Sequence, residues 1–105
     1  MLLNQLNQEK SPTAGIIIIG DEILKGQVQD INTFFITKEL HSCGVKVHQV
    51  LILPDVVDEI ANAVQEFCKE FTYVFTCGGV GPTHDDVTFE AVAKAFKDQL
   101  IIKYV

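Results

Sequence analysis

The residues best suited to chemistry lie in two loops, each following a strongly apolar run. The later loop reads Gly78-Gly79-Val80-Gly81-Pro82-Thr83-His84-Asp85-Asp86. Its three glycines within four positions allow positive φ and let a ligand approach with no Cβ in the way. Successive N–H groups in such a loop can form a nest for an anion, and a helix start behind it adds a positive dipole end. The pattern is neither the dinucleotide fingerprint nor the P-loop. A tight strand-to-helix turn with no ligand accounts for it equally well.

Asp85 and Asp86 are adjacent carboxylates beside His84. They would repel a phosphate unless one binds a divalent cation, and Mg²⁺ bridging carboxylate and phosphoryl oxygens would resolve that conflict. In the alternative reading, one aspartate caps the next helix, the other is solvated, and His84 serves the loop by hydrogen bonding. The earlier loop offers Gly20, Asp21 and Glu22, with Lys25 and Gly26 following. Its carboxylates could hold a metal or a sugar hydroxyl, or equally cap the turn. Asp30 and Asn32 are read first as helix-start residues.

These loops must be held by the elements around them. AGIIIIG at 14–20 is continuous and rich in β-branched isoleucine, the pattern of a strand buried on both faces of a parallel sheet. Asp30 is a good N-cap for a helix running to about Cys43, with Gly44 as its stop. That helix carries Ile31, Phe35, Ile36, Leu40 and Cys43 as its apolar positions. Val45–Leu53 is the second strand, with Val45, Val47, Leu51 and Leu53 on one face and His48 on the other. Pro54 and Asp55 open a second helix, where Val56, Val57, Ile60, Ala61, Val64, Phe67 and Cys68 follow helical spacing. Thr72–Cys77 is a third strand. In a third helix, Phe89, Val92, Ala93 and Phe96 share a face. Thr88 is a candidate N-cap for it, and Thr83 with Asp86 forms a competing capping box. Leu100–Val105 begins a fourth strand, and residues 1–13 read as a flexible leader.

The order β-α-β-α-β-α-β gives a mainly parallel sheet with helices on both faces, an α/β fold of three layers, αβα. Such sheets bind ligands beyond the C-terminal strand ends, where the strand order reverses. Both loops are placed there. Ending within a strand leads us to expect a truncated domain over residues 14–105.

Composition narrows the partners. The chain of 105 residues is 48% hydrophobic, enough for a core, and suits one small domain. Its net charge is -6, with 14 acidic and 8 basic side chains, and every basic one is a lysine. No stripe of arginine forks is present, so nucleic acid is not expected as a partner. No apolar run nears the roughly 18 residues that span a membrane. The opening residues resemble neither a secretory signal nor an arginine-rich transit peptide. Cys43, Cys68 and Cys77 show no C-x-x-C spacing and are expected to be reduced packing residues of a cytoplasmic protein.

GDEILKG at 20–26, followed by DINTFF at 30–35, resembles the G-D-E-[IL]-x-x-G…D-x-N segment of the molybdopterin-binding-like family. CGGVGPTHDDVTFEAVAKAF at 77–96 resembles that family's G-G-x-G-P-T-x-D-D-x-T-x-E-A signature. The blocks stand in the family's order and at its separation, and the likeness covers residues 14–105. The wording is most similar to the N-terminal domains of eukaryotic FAD synthases, with CinA-like proteins as the nearest rivals. The resemblance implies a domain that binds a nucleotide or pterin pyrophosphate and hydrolyses FAD with the help of Mg²⁺ or another divalent cation. It implies that Gly78, Gly79, Gly81, Pro82 and Thr83 hold phosphate. Asp85 and Asp86 would bind the metal and act in catalysis, while Gly20, Asp21 and Glu22 would line the opposite wall. In FAD synthases, FMN adenylylation belongs to a separate C-terminal domain resembling PAPS reductase, which these residues lack. The resemblance thus implies that this stretch does not make FAD alone. The alternatives are a CinA-like or molybdenum-cofactor biosynthesis protein, or a non-catalytic module for binding and homo-oligomer assembly.

Overall fold

The computed structural model describes residues 11–79 and 87–96. The expected strand at Leu100–Val105 and most of the expected leader lie outside them. Seven elements follow in order: β1 (Thr13–Ile19), α1 (Asp21–Leu24), α2 (Asn32–Ser42), β2 (Lys46–Leu53), α3 (Val57–Glu70), β3 (Tyr73–Gly78) and α4 (Val87–Phe96).

The described strands form one parallel sheet in the order β2-β1-β3. β1 is central, which is why its isoleucines do not alternate with polar residues. Ile17 and Ile19 enter the core cluster with Ile60, Ala61, Val64 and Phe67 of α3 and Ala91 and Ala95 of α4. Ala14, Ile16 and Ile18 are equally buried and point to the opposite face of the sheet. The amphipathic reading of α3 holds: its spacing puts Ile60, Ala61, Val64 and Phe67 inside.

A close approach fixes one glycine. A Cβ on Gly15 would stand 2.3 Å from the Phe67 ring, which packs edge-on against Phe71 at 5.1 Å. Gly15 is thus the gap in β1 that lets this aromatic pair reach the sheet.

Both ends of α2 follow the expectation. The Asp30 carboxylate accepts from the backbone N–H of Asn32 (3.1 Å) and Thr33 (3.2 Å) and from the Thr33 hydroxyl. At the other end Gly44 has φ +82°, and Val45 N–H reaches back to the Leu40 carbonyl at 2.9 Å, a Schellman closure.

The structure corrects four details. In β2, the register pairs Ala14 with Val47 but Gly15 with Gln49, so His48 is the extra residue of a β-bulge. The bulge puts Val47 on the face of Val50 and Ile52, opposite Leu51 and Leu53. In α4, the innermost residues are Thr88, Ala91 and Ala95, with Val92 and Phe96 packed beside them and Ala93 exposed. Of the expected face, Val92 and Phe96 do pack against the core, and the stripe is rotated towards the small residues Ala91 and Ala95, which let α4 come close to α3. In α2, no residue is fully buried, and Ile31 and Phe35 are exposed. α2 packs on β2, an edge strand of the described sheet, which covers only its Ile36 and Leu40 side. Finally, Cys43 and Cys68 are exposed and Cys77 is half-buried, so only Cys77 shares in the packing expected of all three.

Candidate functional site

β1 leads out to β2 on one side, and the chain returns to β3 on the other. The strand order therefore reverses at β1, and a crevice is expected beyond the C-terminal ends of β1 and β3. The register pairs Ile19 with Gly78 at that edge. Two loops 58 residues apart in sequence, at Gly20 and Gly78, are thereby brought side by side.

On the β3 side the backbone turns sharply. Gly78 has φ +90° and Gly79 has φ +66°, a region that side chains with a Cβ rarely enter. A Cβ on Gly78 would stand 2.1 Å from the Ile19 carbonyl oxygen, and one on Gly79 would stand 2.2 Å from the Thr88 hydroxyl. Both positions require glycine for conformation and for space.

Thr88 holds this turn against α4. Its hydroxyl donates to the Gly78 carbonyl at 2.8 Å, and its backbone N–H donates to the Gly79 carbonyl at 3.1 Å. The residue is 3% exposed. Thr88 is therefore not the N-cap expected from spacing. It lies inside the first turn of a helix that starts at Val87, and its hydroxyl bonds back to the strand end.

On the β1 side Gly20 is buried, and its N–H donates to the Leu53 carbonyl at 2.9 Å, which extends the ladder with β2. Asp21 is half-buried, and its carboxylate accepts from the Asp55 N–H at 3.0 Å. That bond leads towards β2, on the far side of β1 from the glycine turn. Asp21 ties the β1 loop to the β2–α3 connection, a long-range bond rather than the local turn cap that was the alternative to ligand binding. Glu22 is exposed, and its carboxylate folds back beside Gly20, where an added Cβ would stand 2.6 Å from it. Lys25 is exposed. Asp30 is committed to capping α2, and Asn32 donates its N–H to that cap.

The structure thus brings the Gly20 loop beside Gly78 and Gly79, with Glu22 folded against Gly20 and Asp21 bonded towards β2. Gly81, Pro82, Thr83, His84, Asp85 and Asp86 lie outside the described residues. Among the described residues no group of three or more His, Cys, Asp or Glu could hold a metal ion. Sequence reasoning missed Thr88 as a site residue. Its signal was there: a β-hydroxyl in the first turn behind a glycine run, able to reach a strand carbonyl.

Among the described residues no helix is long and apolar enough to cross a membrane. Residues 15–104 match the family model described as a probable molybdopterin binding domain. The chain is 49% identical over 88 residues to a probable FAD synthase of Caenorhabditis briggsae, an alignment covering 84% of this chain and 17% of that protein. It is 38% identical over 89 residues to a CinA-like protein of Fusobacterium nucleatum, covering 85% of this chain and 22% of that protein. The crystal structure of the protein CinA from Thermoplasma acidophilum superposes with a TM-score of 0.77 at 37% identity, covering 80% of this chain and 51% of that one. The chain thus spans about a fifth of the length of these curated relatives.

Proposed function

This chain belongs to the family of probable molybdopterin-binding domains, and from that premise we propose that its crevice beyond β1 and β3 binds a nucleotide or pterin pyrophosphate. The observation that carries the reading is the Ile19–Gly78 register pair, which sets a positive-φ glycine turn at the point where the strand order reverses. A chain with no arginine must hold an anion chiefly by backbone N–H groups and a helix start, which is what a Gly78–Thr83 loop before α4 can offer.

Similarity to a probable FAD synthase, 49% identical over 84% of this chain, supports FAD as the ligand, although a CinA-like protein reaches 47% over 75% of it. The parent protein is then an FAD synthase, an FMN adenylyltransferase of FAD biosynthesis acting on FMN and ATP in the cytoplasm. Adenylylation would belong to its PAPS-reductase-like domain. The present domain would bind FAD and split its pyrophosphate with water into FMN and AMP. Gly78, Gly79, Gly81, Pro82 and Thr83 cradle the phosphates in this reading. A divalent cation such as Mg²⁺ held by Asp85 and Asp86 would offset the phosphate charge and supply a polarised water. Asp21 keeps the β1 loop in place, and Gly20 leaves room for the Glu22 carboxylate that folds beside it at the crevice wall.

Calorimetric titration of the chain with FAD, with and without Mg²⁺, tests the reading. Saturable binding that strengthens with the cation is expected, with release of FMN and AMP on incubation. A folded chain that gives no saturable heat under either condition overturns it.

One observation favours a second reading, an assembly module. Ile31, Phe34 and Phe35 on and before α2 are 69%, 76% and 65% exposed, a cluster of large apolar side chains. Light scattering that finds only monomers at high concentration removes a homo-oligomeric role.

A further inference from the structure

Thr88 makes two bonds to consecutive carbonyls of one turn. Gly78 O accepts from its hydroxyl at 2.8 Å, and Gly79 O accepts from its N–H at 3.1 Å. A carbonyl oxygen carries partial negative charge and repels an anion that comes near. A loop that binds a phosphate through its N–H groups must therefore turn its carbonyls aside and keep them there. Glycine alone does not do this. At Gly78 and Gly79 the absence of a Cβ permits positive φ but equally permits other conformations.

We propose that Thr88 is the positioning residue of the glycine turn, holding the Gly78 and Gly79 carbonyls against the start of α4 and so out of the crevice where an anionic ligand binds. The role of the ligand rests on the reading given above, but the hold on the turn does not. Three features single Thr88 out. It is 3% exposed, so its hydroxyl has no water to compete for the bond. It is the only polar residue among the buried ones described. Its hydroxyl also occupies the space a Cβ on Gly79 would need, 2.2 Å away, so hydroxyl and glycine fit each other.

Thr88→Val keeps the shape and removes the donor, and Thr88→Ser keeps the donor. Amide hydrogen exchange needs no ligand and reads the turn directly. With Thr88→Val, exchange at Gly79 and at residue 88 should rise about tenfold, while amides of β1 and α3 change little. Thr88→Ser should stay within about threefold of wild type. FAD titration with Mg²⁺ on the same proteins should show affinity falling in the same order. If Thr88→Val does not fold, Thr88→Cys, a weaker donor of similar size, takes its place under the same criteria. Unchanged exchange at the turn, or equal damage from Ser and Val, overturns the proposal. If wild type binds no FAD, the ligand reading fails, and the exchange data still decide whether Thr88 holds the turn.

Discussion

Gly78→Ala isolates the close contact on which the crevice depends. Two costs add at this position. Alanine at φ +90° enters a region that costs about 1–2 kcal/mol for a residue with a Cβ. The new Cβ would also lie 2.1 Å from the Ile19 carbonyl oxygen, a backbone atom of the central strand that cannot swing away. Relieving that overlap means parting β1 from β3 at their C-terminal ends, on the order of the 1–3 kcal/mol typical of overpacked sites. The total is about 2–5 kcal/mol. Gly26→Ala supplies the control, because Gly26 has φ +71° but nothing within 4 Å of a new Cβ. It incurs the first cost alone, about 1–2 kcal/mol. Thermal unfolding followed by circular dichroism should therefore rank wild type above Gly26→Ala and Gly26→Ala above Gly78→Ala. At about 4 °C or more per kcal/mol for a domain of this size, the two variants should differ by about 8 °C. Equal melting temperatures for the two would refute the argument, because they would mean that Ile19 and Gly78 are not packed as the register requires.

Three further outcomes follow from individual bonds. Asp21→Ala removes the acceptor for the Asp55 N–H and should cost about 1 kcal/mol in urea unfolding, while Asp21→Asn, which keeps an acceptor oxygen, should recover most of it. Asp30→Ala removes the cap of α2 and should cost about 1 kcal/mol by the same assay, with Asp30→Ser close to wild type. Asp85→Ala and Asp86→Ala should each abolish the Mg²⁺ dependence of FAD binding in calorimetry and leave the circular dichroism spectrum unchanged; loss of the fold in either would favour a capping role instead.

The parts of the fold that sequence made legible are those where one physical constraint dominates. An unbroken isoleucine run has few stable settings besides a strand covered on both sides, so β1 was readable as a strand buried on both faces of a parallel sheet, and its central place emerged only from the strand order. α3 was readable because its apolar residues fall on one stripe. Asp30 and Gly44 were readable because caps act over three or four residues. The misread details depend on partners distant in sequence. The bulge at His48 exists only in the pairing of β2 with β1. The face of α4 was set by how closely Ala91 and Ala95 let it approach; the large Val92 and Phe96 pack at its margin, and they dominated the sequence pattern. Thiols at Cys43 and Cys68 sit at the margins of apolar stripes, where a step of one residue, about 100° around the helix, separates core from solvent. At the site, glycine runs advertised the turn, but nothing local disclosed that Asp21 would bond towards β2 or that Thr88 would reach Gly78.

Those two bonds also bear on how an acidic chain could receive an anion. With a net charge of -6 and no arginine, long-range repulsion works against a pyrophosphate, so the local arrangement has to prevail. The Asp21 carboxylate is drawn to the β2 side by the Asp55 amide, and the Gly78 and Gly79 carbonyls are drawn to α4 by Thr88. Both bonds withdraw negative oxygens from the space between the ends of β1 and β3. On the β1 loop, which also carries the exposed Lys25, Glu22 folds beside Gly20 and leaves a negative charge there. A divalent cation would be attracted by that charge, whereas a bare phosphate would be repelled by it. The binding proposed here should thus be weak without metal and strong with it, which is a property of the residues around the crevice and independent of which pyrophosphate enters.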